Sequence, residues 1–182
     1  IPYFALFDTY RFYEACRRLL PKYELCHEHS GLFSAGAALA CLHRDIPYVL
    51  TISADPLLEK KFKKKPLRGL HLKVATWVAR FTHRVAKKII CVSEPARQHL
   101  IENWHIPPEK IVVMPNGVDI ELFGSQYNPQ NIRTELGIDN SPTIVFVGGF
   151  QLWHGIDLLI ESHAQVLSEV PEAKLLLVGD GP

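Results

Sequence analysis

The residues best suited to chemistry lie in a glycine-rich turn that follows an apolar, β-branched segment. The segment is TIVFV at 143–147, and the turn after it contains Gly148, Gly149, His154 and Gly155. An amphipathic helix follows, and the backbone N–H groups at a helix start attract an anion, which the helix dipole also favours. Glycine lets the main chain approach such a ligand without a Cβ in between. The pattern therefore predicts a phosphate-binding turn.

Two further features of this region bear on a phosphate. Imidazole titrates near neutral pH, so His154 can add a positive charge when a phosphate binds. The alternative is that His154 fills or caps the turn while Trp153 packs the loop. A second turn, Gly179 to Gly181, follows the next apolar segment, and ligands of open α/β sheets gather at such strand ends. An ordinary tight turn is the alternative for these glycines.

A pair of histidines, His27 and His29, marks a second candidate site. Residues two apart on a strand share a face, so both rings and the nearby Ser30 can line one wall of a cleft. The hypotheses are an acceptor or sugar contact, a metal site, and ordinary histidines at a strand end. No nearby Asp or Cys completes a set with zinc-like spacing, so we expect no metal.

The chain has one run of like charges, which surrounds Phe62. Basic residues near an anionic leaflet contribute about 1 kcal/mol each, so the run predicts peripheral contact with an anionic membrane. The alternative is a solvated, mobile loop. The run consists of Lys60, Lys61, Lys63, Lys64 and Lys65.

Composition predicts a soluble globular protein, since the chain is 47% hydrophobic and 21% charged with a formal net charge of +1. The near-neutral balance gives no reason to expect nucleic acid as a partner. The four cysteines are far apart and form no CxxC pair, which favours reduced core thiols in a cytosolic protein. There is neither a signal peptide nor an initiator methionine, so Ile1 is interpreted as a cut in a longer chain. We expect a cytoplasmic location, with the lysine hypothesis adding peripheral contact at the inner face of the membrane.

Apolar segments alternate with amphipathic ones along the chain, which predicts an α/β fold with parallel sheets covered on both faces. One long helix is indicated by Leu70, Val74, Trp77, Phe81 and Val85 at spacings of three and four. His163 falls on the apolar face of a later helix and is expected in the core. The predicted strands are 23–27, 48–53, 89–92, 111–114, 144–147 and 175–178, and the predicted helices are 8–20, 32–43, 70–85, one capped by Ser93, 132–136 and 156–170.

The composition changes at residue 116, which predicts a boundary between two domains. Residues 1–115 form the first domain, residues 116–142 are a polar, turn-rich crossing, and residues 143–182 begin a second domain. The second part offers only two strands and one helix, whereas a domain usually takes roughly 100–150 residues. We therefore expect the second domain to be incomplete, and part of the first to be missing as well.

Three segments in order resemble the family 4 glycosyltransferases, which are retaining, nucleotide-sugar-dependent enzymes of the two-domain GT-B fold. They are IICVSEPARQHLIENWHIPPEKIVVMPNGVDIELF at 89–123, VFVGGFQLWHGIDLLIESH at 145–163 and AKLLLVGDGP at 173–182. The segment HEHSGLFSAGAALACLHRDIPYVLTIS is similar to their acceptor-side half. The resemblance implies two Rossmann-like domains, the first for the acceptor and the second for the nucleotide sugar. Residues 116–142, with Asn116, Gly117 and Asp119, then correspond to the interdomain crossing.

The resemblance also implies the chemistry. A sugar moves from a nucleotide diphosphate to a sugar or lipid-linked acceptor, in polysaccharide or glycolipid biosynthesis, with no cofactor and no metal. Gly149 and His154 stand where many members have an arginine and a lysine, and Ser53 stands where many have a histidine. The family's pair of glutamates would lie beyond residue 182. We therefore expect these residues alone to lack activity.

Two other functions share this architecture. A nucleotide-sugar 2-epimerase would bind the same donors but needs carboxylates placed for proton abstraction. A nucleotide-binding module without catalysis is the second, because the family's arginine and lysine are replaced. A Rossmann dehydrogenase does not fit, because its G-x-G-x-x-G must open the helix directly after the strand, and Gly148, Gly149 and Gly155 have a different spacing.

Overall fold

The computed structural model describes residues 2–58, 67–124 and 126–181, with side chains from Phe7 onwards. The chain divides into two compact units, Ile1–Gly117 and Val118–Pro182. The lysine run between residues 60 and 65 lies outside the described residues. Within the described ranges, no helix has the length and apolar character that a membrane crossing demands.

The first unit contains a four-stranded parallel sheet. Its strands are β1 (Cys26–His29), β2 (Tyr48–Ile52), β3 (Lys88–Cys91) and β4 (Ile111–Val113), paired in the order β1-β2-β3-β4. The two central strands consist largely of apolar residues, as expected for a parallel sheet with both faces covered. Since all four strands run the same way, their carboxyl ends meet at one edge.

Helices precede and connect these strands. They are α1 (Pro2–Leu19), α2 (Gly36–Arg44), α3 (Gly69–Val85) and α4 (Glu94–Trp104). The start of α4 is capped as predicted, because the Ser93 hydroxyl oxygen accepts a hydrogen bond from the Ala96 amide over 3.3 Å.

The core of the first unit lies between this sheet and its helices. Tyr48, Leu50, Ile89 and Leu100 are its largest fully buried side chains apart from cysteines. The Tyr48 hydroxyl donates to the Glu28 carboxylate over 2.6 Å. Burial, and then the charge of Glu28, raises the pKa of Tyr48 above its usual range, so the phenol remains a hydrogen-bond donor. All four cysteines are free thiols, two of them buried.

The second unit contains a two-stranded parallel sheet. The helices and strands of this unit are α5 (Gln130–Glu135), β5 (Thr143–Val147), α6 (Ile156–Val166) and β6 (Lys174–Val178). The Arg133 guanidinium fastens α5 to the start of β5, because it donates to the carbonyl oxygens of Asp139 and Ser141 over 2.5 and 2.6 Å. The residues from Arg133 to Ser141 thus lie in a hydrogen-bonded segment. The role of residues 116–142 as an interdomain crossing stays a prediction.

The predicted strands and helices are present, with shifts at their ends. β1 begins at Cys26 rather than at residue 23, and α2 begins at Gly36 rather than at residue 32. The residues before α2 form a turn instead, and there the Ser34 hydroxyl donates to Glu28. The helix α6 ends at Val166 rather than at residue 170. The chain forms turns after this point, and in one of them the Val170 amide donates a hydrogen bond to the Val166 carbonyl oxygen.

The core differs from what the sequence suggests in two places. Leu70 and Trp77, two of the apolar residues that indicate α3, are 69% and 65% exposed. The buried face consists of smaller side chains, those of Ala75, Val78 and Thr82, which allow close approach. His163 is half-buried rather than in the core, although its Nδ1 is buried without a hydrogen-bond partner.

Candidate functional site

The two predicted glycine turns lie side by side at the carboxyl ends of β5 and β6. The Gly148 amide donates to the Val178 carbonyl over 2.9 Å, and the Phe150 amide donates to the Asp180 carbonyl over 2.7 Å. These bonds carry the pairing of the strands into the turns. The structure therefore brings the first turn together with the turn at Gly179, as predicted for ligands that gather at strand ends.

Glycine is required at Gly179 because two main chains touch there. A Cβ on Gly179 would lie 1.9 Å from the Gly148 carbonyl oxygen, and Gly179 has a φ of 152°. A Cβ on Gly181 would lie 2.6 Å from the Phe150 Cβ. These close contacts explain why the fold needs glycine at both positions, Gly179 and Gly181. The role of the two glycines in donor binding stays a prediction.

The helix α6 presents unsatisfied amides at its start. Gly155 is its N-terminal flanking residue and adopts a left-handed conformation with φ 65°. The amide of Leu159 donates the first backbone hydrogen bond of α6. The three amides before it therefore have no acceptor among the described residues; they belong to Ile156, Asp157 and Leu158. Asp157 already places a negative charge in this first turn. A phosphate here meets favourable amides and one opposing carboxylate.

His154 is held against the first glycine turn by its own ring. Its Nδ1 is hydrogen-bonded to the Gly149 carbonyl oxygen, which can only accept, so Nδ1 carries a proton. The neighbouring rings of Phe146 and Trp153 lie 6.0 and 5.9 Å away between centroids. The side chain is exposed. Its Nε2 binds a phosphate only when the ring takes up a second proton.

The histidine pair lies on the edge strand of the first unit. The rings of His27 and His29 are 5.4 Å apart between centroids, and both side chains are exposed, as expected for residues on one face. His27 Nε2 hydrogen-bonds with the Thr51 hydroxyl over 2.6 Å. Ser53 is exposed just beyond the end of β2. The geometry brings these side chains to one edge of the sheet, while their acceptor role stays a prediction.

The part of the chain that the structure describes contains no metal site. Among residues 2–58, 67–124 and 126–181, no group of three or more His, Cys, Asp or Glu side chains could hold a metal ion. Farther along, Asn116 and Gly117 end the first unit, and Asp119 is the second residue of the second unit. The Asp119 carboxylate accepts from the amides of Glu121 and Leu122, both over 3.0 Å, and so caps the turn that follows.

A polar network near the end of β2 was not predicted from the sequence. Asp55 accepts hydrogen bonds from His99 Nε2 over 2.9 Å and from Trp104 Nε1 over 2.8 Å. The same carboxylate accepts from the amide of Leu57 over 2.9 Å. Burial alone would raise the pKa of Asp55, but the hydrogen bonds from His99, Trp104 and the backbone outweigh it and lower the pKa. Asp55 is therefore a buried, fully paired carboxylate.

His83 lies beside this network, in a small cavity lined also by Ser30, Asp55, Leu100 and Trp104. Its ring meets the Trp104 ring edge-on, with centroids 4.9 Å apart. Burial lowers the pKa of His83 to about 4, an effect only partly offset by the Asp55 charge. The ring is therefore neutral at physiological pH, and its Nδ1 is buried without a partner.

This buried histidine predicts a loss of stability in mild acid. Above its unfolded pKa of 6.5, His83 is neutral in both states. As pH falls from there towards 4, the unfolded chain binds a proton that the folded chain refuses, so the free energy of unfolding decreases by about 3 kcal/mol. We expect His83→Leu to remove this pH dependence in urea unfolding curves. Asp55 acts below this window, since its contribution is lost only as pH falls below about 3.9.

The control for this experiment is His71→Leu, because His71 is exposed on the same helix. That variant is expected to keep the wild-type slope. Equal slopes for His83→Leu and wild type between pH 6.5 and 4 would show that His83 is not the group responsible.

Comparison with known proteins identifies the family. The sequence profile of Glycosyltransferase Family 4 matches residues 2–122. The chain therefore belongs to this family, as the resemblance predicts. It is 31% identical to the alpha-maltose-1-phosphate synthase of Mycobacterium tuberculosis over 149 residues, which cover 79% of this chain and 38% of that protein. It is 28% identical to the Escherichia coli UDP-Gal:alpha-D-GlcNAc-diphosphoundecaprenol alpha-1,3-galactosyltransferase, covering 88% of this chain and 41% of that protein.

Solved structures show the same fold. The crystal structure of Anabaena Alr3699/HepE in complex with UDP matches with a TM-score of 0.73 and 23% identity, covering 93% of this chain and 43% of that one. The two parallel-sheet units thus have a fold of the GT-B type, as predicted. A UDP-N-acetylglucosamine 2-epimerase matches with a TM-score of 0.50 and 11% identity. The chain spans about two fifths of the length of the relatives it matches.

Proposed function

We propose that this protein transfers a sugar from a nucleotide-diphosphate donor to an acceptor, with retention and without a metal ion. Membership of the glycosyltransferase family supports the reaction class. The observation that carries the donor site is the pair of adjoining glycine turns beside the open amides of α6. Gly148, Gly149, His154 and Gly155 bind the diphosphate, and Gly179 and Gly181 support the same corner.

A metal-free transfer needs fixed positive potential where the diphosphate departs, because negative charge develops on it. The amides at the start of α6 supply part of this potential. His154 supplies a full charge when protonated, in a position where the resemblance implies a lysine. The negative charge of Asp157 opposes the positive potential of the amides and of His154. The charge of His154 therefore makes a large contribution to the net potential at this site.

The acceptor is proposed to lie at the carboxyl edge of the first sheet, near His27, His29 and Ser53. The Escherichia coli relative is named for a lipid-linked acceptor, a diphosphoundecaprenol. Such an acceptor is amphipathic and is held in a membrane, which supports a lipid-linked or sugar acceptor for this protein too. It also agrees with peripheral membrane contact through the lysines between residues 60 and 65.

The 2-epimerase alternative is not favoured, because the match to an epimerase shows the fold alone. Donor binding without sugar transfer would indicate a non-catalytic binding module instead. Measuring transfer from a radiolabelled nucleotide sugar in parallel with donor binding separates these two functions.

Calorimetry with UDP and GDP tests the donor site. We expect one of these nucleotides to bind, and His154→Gln to weaken that binding about tenfold, because a charged hydrogen bond to a phosphate is worth about 1.5 kcal/mol or more.

His105→Gln is the control for this variant, since His105 is an exposed histidine of the first unit. If neither nucleotide binds, the donor-site proposal fails. If His154→Gln binds as tightly as wild type, the proposed role of this histidine fails while the amides remain.

A further inference from the structure

The outward face of α3 combines exposed apolar side chains with positive charges. Leu70 and Trp77 are 69% and 65% exposed, although large apolar groups usually avoid water. Lys73, Arg80 and Arg84 are exposed on the same helix. With 3.6 residues in each turn, these five positions recur on one side of the helix, opposite the buried Ala75, Val78 and Thr82. We call these five residues the α3 outer face.

The aromatic residue of this face is held in place from below. The ring of Trp77 stacks on Phe81, with centroids 5.9 Å apart and an angle of 11° between the planes. Phe81 in turn packs against the buried core. Trp77 therefore stands on a fixed support, and little side-chain entropy remains to be lost when its outer surface becomes covered.

The positive charges of this face are available to a partner. The helix contains no Asp or Glu. The ion pairs of the described residues involve Arg17, Arg18, Arg97 and His99, and none of them involves Lys73, Arg80 or Arg84. The face thus carries three unneutralised cations, although the chain as a whole has a net charge of only +1.

We propose that the α3 outer face docks this protein on an anionic lipid surface. Trp and Leu are side chains that enter the boundary between headgroups and acyl chains, while Lys and Arg on the same helix remain among anionic headgroups. A nucleic-acid backbone would use the cations but offers nothing to Leu70. A lipid surface interacts favourably with both the apolar and the cationic side chains of the α3 outer face.

Docking here goes beyond donor binding and uses residues that the proposed transfer does not need. Its link to function rests on the proposed lipid-linked acceptor, because the first unit would then lie at the surface that holds such an acceptor. The lysines between residues 60 and 65 precede α3 closely in sequence.

Vesicle flotation with the whole chain tests the proposal. We expect binding to phosphatidylglycerol-containing vesicles and little binding to pure phosphatidylcholine. One Lys or Arg near an anionic surface contributes about fivefold in partitioning. The triple variant Lys73→Gln, Arg80→Gln and Arg84→Gln should therefore bind about a hundredfold more weakly. Trp77→Ala should bind at least about tenfold more weakly, since it loses the large apolar ring.

Matched controls have the same chemistry at other places. Lys22→Gln, Arg44→Gln and Lys174→Gln together remove three exposed cations outside this face, and Tyr23→Ala removes an exposed aromatic ring. Both controls should bind within about twofold of wild type. Circular dichroism checks that each variant is folded. A third variant, with the five lysines between residues 60 and 65 changed to Gln, separates their contribution from that of the α3 outer face.

The proposal is overturned if wild type does not bind anionic vesicles, or if the α3 variants bind as well as their controls. It is also overturned if a short single-stranded RNA displaces wild type from the vesicles and binds the Trp77→Ala variant as tightly as wild type, since the face would then act only through charge. UDP and GDP titrations of the same samples keep the two proposals apart. Vesicle binding without binding of either nucleotide contradicts the donor site alone, and nucleotide binding without vesicle binding contradicts docking alone.

Discussion

Gly179→Ala is expected to destabilise the second unit by about 3 kcal/mol or more and to abolish nucleotide binding. The new Cβ would lie 1.9 Å from the Gly148 carbonyl oxygen, which belongs to the main chain and cannot rotate away. The φ of 152° adds strain, because side chains rarely tolerate it. The two glycine turns must therefore separate. Urea unfolding and UDP calorimetry measure the two effects.

Gly149→Ala is the matched control in the same pair of turns. Its Cβ would meet the nearest atom, the Asp180 carbonyl oxygen, at an ordinary distance of 3.8 Å. A Gly-to-Ala change at a compatible position is neutral or stabilises by up to about 1 kcal/mol. Equal stability of Gly179→Ala and Gly149→Ala would mean that the main chains of the two turns do not touch as described.

Asp55→Ala should reduce the free energy of unfolding of the first unit by about 3–5 kcal/mol. The carboxylate accepts from His99, Trp104 and the amide of Leu57, so its removal leaves several donors without a partner in a place that is largely buried. Asp55→Asn should cost less, about 2 kcal/mol, because it keeps one acceptor oxygen but turns an NH₂ group toward other donors.

Asp45→Asn is a suitable control for the asparagine variant. Asp45 is exposed and ends α2 in the left-handed conformation, with φ 53°, which asparagine also tolerates. We expect a change below about 0.5 kcal/mol in urea unfolding. If Asp55→Ala stays within about 1 kcal/mol of wild type, the hydrogen bonds of this network are formed in the unfolded chain or replaced by water.

The fold could be predicted from the sequence because its strands are mostly continuous apolar runs. β2, β3, β5 and β6 lie within one residue of their predicted bounds for this reason. The strand β1, CHEH, is polar, and its start was placed three residues too early. The exposure of Leu70 and Trp77 has another cause. Periodicity shows that a helix has an apolar stripe, but small side chains such as Ala75 decided which stripe approaches the sheet.

The candidate site was predictable only where it is local in sequence. The turn at Gly148 and Gly149 and the start of α6 lie within ten residues, and each part has a signature of its own. The Asp55 network has none, because His99 and Trp104 are 44 and 49 residues away from the carboxylate. Such a cluster exists only once the strands and helices have been packed.

The order of the first sheet has a consequence for biosynthesis. Each of β1, β2 and β3 pairs with the strand that directly follows it in the chain. A chain that leaves the ribosome from its N-terminus therefore always adds the newest strand to an edge that is already formed. Among the strands that the structure describes in the first unit, none must be inserted between two earlier ones, so this sheet can grow at the pace of translation.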